Sequence, residues 1–370
     1  MSFPRKFDSN ERLSIKETTG NLIGEGNFSK VYYQQDVASG IELAVKVFDW
    51  KKAERLRKLN DITMERHALL RLNHSSIVKI YATGTKVNRA CIFTEFCGGG
   101  ELWNSCRRVG EPEIRAKVYF KQILNAVGYM HRMGIVHRDL KAENVFVSSN
   151  SQNVKLGDFG SSRDLYNPSV KGSGNNSSSS NRSSMSFEHY VGSPNFLSPE
   201  AIENIENDEI SDIWSLGCLF YQVLVGLAPF VAGSEYLVYL RVRARDLHFP
   251  PGLSGSARNL VDSILRLNRF ERPLLSMIES HAFFVDTAKH VSPLTETDHV
   301  VRKIAFDESI ELSANFIESY ASLSTVRDRL KHVAVVREWE RLSRPGSGTQ
   351  ILDHLDLGLG KSNSSSETDS

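Results

Sequence analysis

HRDLKAEN at residues 137–144 and DFG at residues 158–160 are the two stretches that decide the fold of this chain. Each lies beside short apolar runs that are typical of strands, and their aspartates, Asp139 and Asp158, are 19 residues apart. Aspartate and asparagine oxygens are ligands that a hard cation such as Mg²⁺ prefers. Because the motifs occur in this order and at this spacing, the pair is far more specific than either motif alone.

A glycine-rich loop and a lysine on a strand precede these motifs. GEGNFSKV at residues 24–31 fits a strand–turn–strand, where glycines let backbone N–H groups approach phosphates. Taken alone it also fits a plain tight hairpin, because Ser29 replaces the third glycine. Lys46 lies on an apolar strand, where its ammonium needs a partner, and Glu65 on the following helix is the candidate. The alternative is a surface lysine and a solvated glutamate.

Together these motifs resemble the eukaryotic protein kinase family over residues 17–284, roughly three quarters of the 370-residue chain. The resemblance implies an α+β, two-lobed protein kinase fold. A small β-rich N-lobe with one αC helix is expected at residues 17–97, and a larger helical C-lobe at residues 98–284. ATP and Mg²⁺ are the implied cofactors, and the implied enzyme transfers the γ-phosphate of ATP to a protein.

The resemblance assigns catalytic roles to three residues. Asp139 is expected to accept the proton of the substrate hydroxyl or to orient that hydroxyl, and Lys141 to stabilise charge on the transferring phosphoryl group. A lysine two residues after this aspartate is typical of Ser/Thr kinases, and Ser193 supplies the matching hydroxyl. Serine and threonine are therefore the expected acceptors, with dual specificity left open.

The nucleotide and its metal have their own implied positions. Asn144 and Asp158 are the expected Mg²⁺ ligands, and Lys46, held by Glu65, is expected to hold the α- and β-phosphates. Thr94 is the expected gatekeeper. The implied nucleotide-binding positions are Ile23, Gly24, Glu25, Gly26, Asn27, Phe28, Val31, Ala44, Lys46, Thr94, Glu95, Cys97, Glu101 and Phe146. Because the catalytic set is complete, a non-catalytic scaffold is the competing interpretation rather than the first one.

Further positions have structural roles in the family. Glu200 is expected to pair with Arg272, and Asp212 to anchor the catalytic loop. An apolar stack that is continuous in the active state is expected from Leu69, Ile80, His137 and Phe159.

A closer resemblance is carried by YVGSPNFLSPE at residues 190–200, by residues 211–237 and by residues 46–74. These segments are similar to the phosphoinositide-dependent protein kinases of the AGC group. That family docks the phosphorylated tail of other AGC kinases beside αC and phosphorylates their activation loops, so other AGC kinases are the expected substrates and partners. The implied pocket positions are Trp50, Ala53, Leu59, Ile62, Thr63, Arg66, Thr83 and Ile92, with Arg66 as the phosphate ligand. The alternatives are an ordinary packing face of αC and a Ser/Thr kinase of another branch.

Control of activity is expected to differ from that family. Arg138 there pairs with a phosphate on the activation loop, but here the phosphorylated position is His189 and the αC position that contacts the phosphate is Met64. Either Glu188 replaces the phosphate, or a serine of the insert carries it: Ser183, Ser184 or Ser186. The loss of both contacts favours the arrangement that needs no phosphate.

The segments that flank the two lobes, and one insert within the C-lobe, are predicted from composition and periodicity. Residues 1–16 are an N-terminal extension, and residues 165–187 are a Ser-rich insert in the activation loop. A helical extension is expected at residues 285–345 and a disordered polar tail at residues 346–370, which together are too short for a PH domain.

Composition and charge exclude several classes of protein. The 45 Lys and Arg against 44 Asp and Glu give a formal net charge of +1, so no overall basic field recruits nucleic acid or an anionic membrane. The four cysteines lack CxxC spacing, which indicates reduced thiols. No leader-like or lipidation motif stands at either end, so we expect a cytoplasmic protein, with the nucleus left open and no lipid anchor.

Apolar periodicity predicts the main helices. One helix is expected at residues 51–72, within a β-rich N-terminal part. The apolar stretch at residues 214–233 has the length of a membrane span, but Gln222 and Pro229 favour a buried core helix. The C-terminal part is expected to form helices at residues 114–132, 212–225, 235–245, 257–267 and 274–280.

Overall fold

The computed structural model describes the part of the chain that carries the motifs. The described residues are 20–36, 39–86, 89–107, 109–167, 170, 192–203 and 208–285. They all belong to one compact unit, residues 1–310, and a second unit, residues 311–370, lies outside them. The predictions for residues 1–16, for Glu188 and the insert serines, and for the C-terminal extension and tail also lie outside the described residues.

The N-terminal part is a five-stranded antiparallel sheet with the strand order β1-β2-β3-β5-β4. Its strands are β1 (Asn21–Glu25), β2 (Ser29–Gln35), β3 (Glu42–Asp49), β4 (Ile80–Lys86) and β5 (Arg89–Glu95). Successive side chains of a strand point to opposite faces. On β3, Leu43 and Val45 therefore pack into a small core with Cys91 and Phe93. Lys46 lies on the other face and lines the cleft.

Two helices, not one, follow β3. The helices are α1 (Trp50–Arg55) and α2 (Leu59–Arg71), so the prediction of a single helix at residues 51–72 is wrong. Helix α1 begins at Asp49, whose side chain accepts a hydrogen bond from Lys52 N, at 2.9 Å. It ends before Arg57, which adopts a left-handed φ of 56° that a continuous α-helix does not allow. The break separates α2, the expected αC helix, from the strand that carries Lys46.

The C-terminal part is mainly helical, and the two-lobed α+β prediction is confirmed. Its helices are α3 (Leu102–Cys106), α4 (Glu113–Arg132), α5 (Pro199–Ile202), α6 (Glu209–Val225), α7 (Glu235–Ala244), α8 (Gly255–Ile264), α9 (Leu275–Glu279) and α10 (Ala282–Val285). Short strands frame the loops between the lobes: β6 (Gly100–Glu101), β7 (Ile135–Val136), β8 (Val145–Val147), β9 (Val154–Leu156) and β10 (Arg163–Asp164). Strand β8 pairs with β6 and β9, and β10 pairs with β7.

Helix α6 is the centre of the C-terminal core. Asp208 caps its start by accepting hydrogen bonds from Ile210 N and Ser211 N, and Gly226 ends it at a φ of 84°. Between these caps nearly every side chain is buried, which explains the apolar stretch at residues 214–233. No helix within the described residues is long and apolar enough to cross a membrane. All four cysteines, Cys91, Cys97, Cys106 and Cys218, are free thiols in the structure.

Candidate active site

A cleft of about 940 Å³ lies between the N-terminal sheet and the loops of the C-terminal part. Every residue expected at the site from the sequence lines this cleft except Asp139, which contacts the cleft residues Lys141, Asn144 and Ser193. The cleft also contains residues that were not expected. Glu143 stands within the HRDLKAEN motif and could have been identified from it, whereas Val78 belongs to no motif.

The glycine-rich loop is the turn between β1 and β2 and forms one wall of the cleft. Gly26 N donates to Ser29 O at 2.8 Å, so the turn is a tight hairpin. The register shifts between Leu22 and Gly24, a β-bulge that lets the loop bend. Phe28 at its tip stacks on Phe48, with ring centroids 6.2 Å apart. The hairpin and the phosphate-loop interpretations are therefore compatible, because this hairpin faces the cleft.

The inner end of the cleft is lined by β5 and the segment that follows it. The Thr94 hydroxyl donates to Ala44 O at 3.3 Å, which fixes it beside β3. Glu95 accepts from Lys79 N at 2.6 Å and pairs with Lys155 at 3.0 Å, so its carboxylate is held by two partners. Burial raises the pKa of the Cys97 thiol to about 11, which keeps it protonated and unreactive.

Lys46, Glu65 and Asp158 form an ion cluster at the rear of the cleft. Lys46 Nζ lies 2.8 Å from both Glu65 carboxylate oxygens and 3.1 Å from Asp158 Oδ1. Burial alone lowers the pKa of Lys46, but the two carboxylates outweigh it and raise the pKa, so the ammonium stays charged. Burial raises the pKa of Glu65 to about 7, against the opposing effect of Lys46. The cluster joins β3, α2 and the DFG motif.

Asp158 is aimed into the cleft by a special backbone conformation. It has φ 56° and ψ 72°, a left-handed conformation, at the start of a short 3₁₀ turn, Phe159–Ser161. Phe159 is fully buried against His137, with ring centroids 4.9 Å apart, which holds the neighbouring carboxylate on the other side. The positive charge of Lys46 lowers the pKa of Asp158 to about 2. The Asp158 side chain is 45% exposed, so an ionised carboxylate faces the cleft.

A carboxylate, an ammonium and a hydroxyl meet at the catalytic loop. Lys141 Nζ lies 2.8 Å from Asp139 Oδ2 and 2.7 Å from Ser193 Oγ. Ser193 donates to Asp139 Oδ1 through its hydroxyl and through its backbone N–H, each at 3.0 Å. Asn144 Nδ2 donates to Asp139 Oδ2 at 2.9 Å. The Asp139 carboxylate is thus held in one orientation by donors from three directions.

Asp212 of α6 supports this loop from below. It is fully buried and accepts hydrogen bonds from His137 N and Arg138 N, both at 2.8 Å, and it contacts His131 Nε2 at 2.9 Å. Arg138 has a φ of 65°, an unfavourable conformation that these bonds stabilise. The geometry expected for Asp212 is therefore present in the structure.

The Glu200–Arg272 pair is buried in the C-terminal part. Two bonds of 2.6 and 2.7 Å join the guanidinium to the carboxylate. Burial raises the pKa of Glu200, but the hydrogen bond and charge of Arg272 outweigh it and the pKa is lowered. This bidentate pair ties the start of α5, which follows Ser193, to the core.

The cleft offers the donor set that a metal–nucleotide complex needs. Asn144 and Asp158 both line it with oxygen-bearing side chains. No group of three His, Cys, Asp or Glu side chains that could hold a metal occurs in the described part of the chain. Mg²⁺ needs no such cluster when substrate phosphates complete its coordination, because one or two protein oxygens suffice. The residues present therefore fit Mg²⁺ bound together with a nucleotide.

Comparison with known proteins agrees with this geometry. The protein kinase domain model matches residues 18–284. The 3-phosphoinositide-dependent protein kinase 1 of Arabidopsis thaliana is 32% identical over 255 residues, 69% of this chain and 51% of that protein. Its human counterpart is 32% identical over 254 residues, 68% of this chain and 43% of that protein.

A rice relative, CBL-interacting protein kinase 1 of Oryza sativa, is 33% identical over 284 residues, 75% of this chain and 58% of that protein. The chain spans about half the length of the curated relatives it matches. The family model, the cleft and its ion cluster lead to one conclusion: the chain belongs to the protein kinase family.

Proposed function

We propose that this chain is a protein serine/threonine kinase that transfers the γ-phosphate of ATP to serine or threonine of proteins. The observation that carries the proposal is the arrangement of Asp139 and Lys141 around the Ser193 hydroxyl, at 2.7 to 3.0 Å. A substrate hydroxyl entering the cleft reaches the same carboxylate. Phosphoryl transfer depends on positioning and charge neutralisation more than on covalent chemistry, and this site supplies both.

Each residue has a task in the proposed reaction. Asp139 orients the acceptor hydroxyl and takes its proton, while Lys141 neutralises charge that develops on the transferring group. Lys46, fixed by Glu65, holds the α- and β-phosphates. Asn144 and Asp158 would hold Mg²⁺, which when bound would neutralise charge on the phosphate oxygens.

A transfer assay separates an enzyme from a scaffold. Purified full chain is incubated with radiolabelled ATP, Mg²⁺ and a generic protein, beside the variant Asp158→Ala. We expect labelling of the substrate by the parent and almost none by Asp158→Ala, because the variant loses a proposed metal ligand. The variant Asp262→Asn, which removes a carboxylate from a C-terminal ion pair with Arg245, is the matched control and should label normally. Equal labelling by the parent and Asp158→Ala would overturn the catalytic assignment.

We further propose that the substrates are other AGC-type kinases that dock beside α2. The relatives named 3-phosphoinositide-dependent protein kinase support this choice. At the expected pocket, Arg66 is exposed and its Nε lies 3.4 Å from Thr83 Oγ1, so a cation and a hydroxyl stand together at the surface. Of the apolar positions expected there, Ala53 and Ile92 are buried, whereas Trp50 is 38% exposed and accessible to a partner.

Docking is tested with a phosphorylated FxxF-[S/T]-[F/Y] peptide. We expect it to bind the parent and to raise activity toward a T-F-C-G-T-type loop peptide, because a guanidinium binds phosphate through charge-assisted hydrogen bonds. The unphosphorylated peptide and Arg66→Ala should each bind about tenfold more weakly. Equal affinity in all three titrations would favour a kinase of another branch, an alternative that the rice relative supports. A substrate screen on purified kinases would then identify its targets.

A further inference from the structure

Asp164 of β10 is a buried carboxylate that belongs to none of the motifs. Its side chain has no exposed surface, and both of its carboxylate oxygens have hydrogen-bond partners. One oxygen, Oδ2, lies 2.7 Å from His67 Nε2 and also contacts the Arg71 guanidinium. The other, Oδ1, accepts from Tyr166 N at 2.9 Å and from Asn167 N at 3.0 Å. The carboxylate therefore ties two cationic or polar side chains to the segment that follows the DFG motif.

Both side-chain partners come from α2, the helix that carries Glu65. His67 and Arg71 are four residues apart and so lie on one face of the helix. Arg71 also donates to Met133 O at 2.8 Å, beyond the end of α4. Helix α2 is thereby joined both to the activation segment and to the C-terminal part.

The charge of Asp164 is maintained in this position. Burial raises the pKa of its carboxyl, but hydrogen bonds from His67, Arg71 and the backbone outweigh it and the pKa is lowered. Met64, the α2 position at which the sequence predicts the loss of a phosphate contact, is fully buried in the core. The basic contacts of α2 with this segment thus come from the next turn of the helix.

We propose that Asp164 is a positioning residue that holds α2 in the arrangement in which Glu65 meets Lys46. Glu65 is two residues before His67, so a shift of α2 away from Asp164 moves Glu65 from Lys46 as well. A carboxylate built into the sequence supplies this contact, and no modification of the segment is needed for it. The inference rests on the proposed kinase function.

The primary test uses Asp164→Asn, which keeps an oxygen for Tyr166 N and Asn167 N but removes the charge. The second variant adds His67→Gln and Arg71→Met to Asp164→Asn, so that no buried charge is left without a partner. Both replaced side chains are about one quarter exposed. Asp262→Asn is the control, because Asp262 also forms ion pairs with two arginines, Arg245 and Arg266, but lies outside the cleft.

Two ligands are compared by calorimetry: a non-hydrolysable ATP analogue with Mg²⁺, and adenosine, which lacks phosphates. We expect Asp164→Asn to weaken analogue binding about tenfold and to lower kcat/KM for ATP by about 10- to 100-fold, since buried hydrogen bonds to charged groups are lost. Adenosine affinity should stay within about twofold, because Lys46 contacts only the phosphates in the proposed complex.

A double-mutant cycle shows whether Asp164 acts through Glu65. On a Glu65→Gln background, Asp164→Asn should weaken analogue binding by less than about threefold. Three results would each overturn the inference. Folded Asp164→Asn could bind the analogue as tightly as the parent, or lose as much affinity for adenosine as for the analogue. The third is a cycle in which the Asp164→Asn and Glu65→Gln losses of analogue affinity simply multiply. The binding data stand apart from turnover: a parent that binds the analogue but transfers no phosphate contradicts the proposed function, not the role of Asp164.

Discussion

Replacing Asp212 with asparagine should weaken both the fold and the catalytic loop. The carboxylate accepts from His137 N and contacts His131 through Oδ2, and it accepts from Arg138 N through Oδ1. An asparagine amide keeps one acceptor oxygen, so its NH₂ group takes the place of the other. With that group at Oδ1, the less costly orientation, the bond from Arg138 N–H is lost, and the two bonds at the other oxygen are made to a neutral acceptor instead of a charged one.

The size of the effect follows from these bonds. A buried hydrogen bond to a charged group contributes about 1.5–3 kcal/mol and one to a neutral group about 1 kcal/mol, so one lost bond and two weakened bonds predict a destabilisation of about 3 kcal/mol or more. That is a large part of the ~5–15 kcal/mol by which domains are stable, yet it leaves a folded protein to measure. Asp212→Ala loses all three acceptor contacts and should be less stable still.

Urea unfolding of the full chain measures this directly. For Asp212→Asn we expect the midpoint to fall by about 1 M at an unchanged m-value, with a loss of phosphoryl transfer in the protein that remains folded. Asp262→Asn is the control; its side chain is 36% exposed, and partly exposed ion pairs contribute about 0–1 kcal/mol. A stability of Asp212→Asn within about 0.5 kcal/mol of the parent would refute the reasoning, because a buried N–H cannot lose a charged acceptor at so small a cost.

Three further predictions concern the cleft. Protonation of Glu65 near its pKa of about 7 weakens the pair with Lys46, so kcat/KM for ATP should rise as the pH is raised through this value. In Glu65→Gln this rise of kcat/KM with pH should be absent. Gly192→Ala should lower activity at least tenfold, a loss seen in steady-state kinetics, because Gly192 has a φ of 108° and an added Cβ would lie 2.6 Å from Arg138 O. Lys141→Ala should lower kcat by about 100-fold with little change in the KM for ATP, and an unchanged kcat would contradict the role of its ammonium.

Residues within contiguous motifs could be predicted from the sequence. The HRDLKAEN and DFG motifs fix the order of Asp139, Asn144 and Asp158 along the chain. The structure places Asn144 and Asp158 in the cleft and Asp139 in contact with Asn144. The pairing of Lys46 with Glu65 was predictable because an ammonium on an apolar strand needs a carboxylate, and the expected helix offered one.

Contacts that depend on tertiary structure could not be predicted in this way. Asp164 lies 97 residues from His67 and 93 from Arg71, and nothing in its local sequence marks it as buried or bonded. The break between α1 and α2 was also missed, because Leu56 keeps the apolar period although it is 47% exposed and Arg57 leaves the helical conformation. Periodicity reports which side chains could face a core, not which ones reach it.

Phosphoamino-acid analysis after transfer from γ-labelled ATP tests the central claim most directly. The full chain and its Asp139→Asn variant are incubated with Mg²⁺ and a mixed protein substrate, and the labelled protein is hydrolysed. The account predicts label on phosphoserine and phosphothreonine for the parent and at least about 100-fold less for Asp139→Asn, which cannot take the hydroxyl proton. Label of equal amount in both, or label confined to phosphotyrosine, would contradict it.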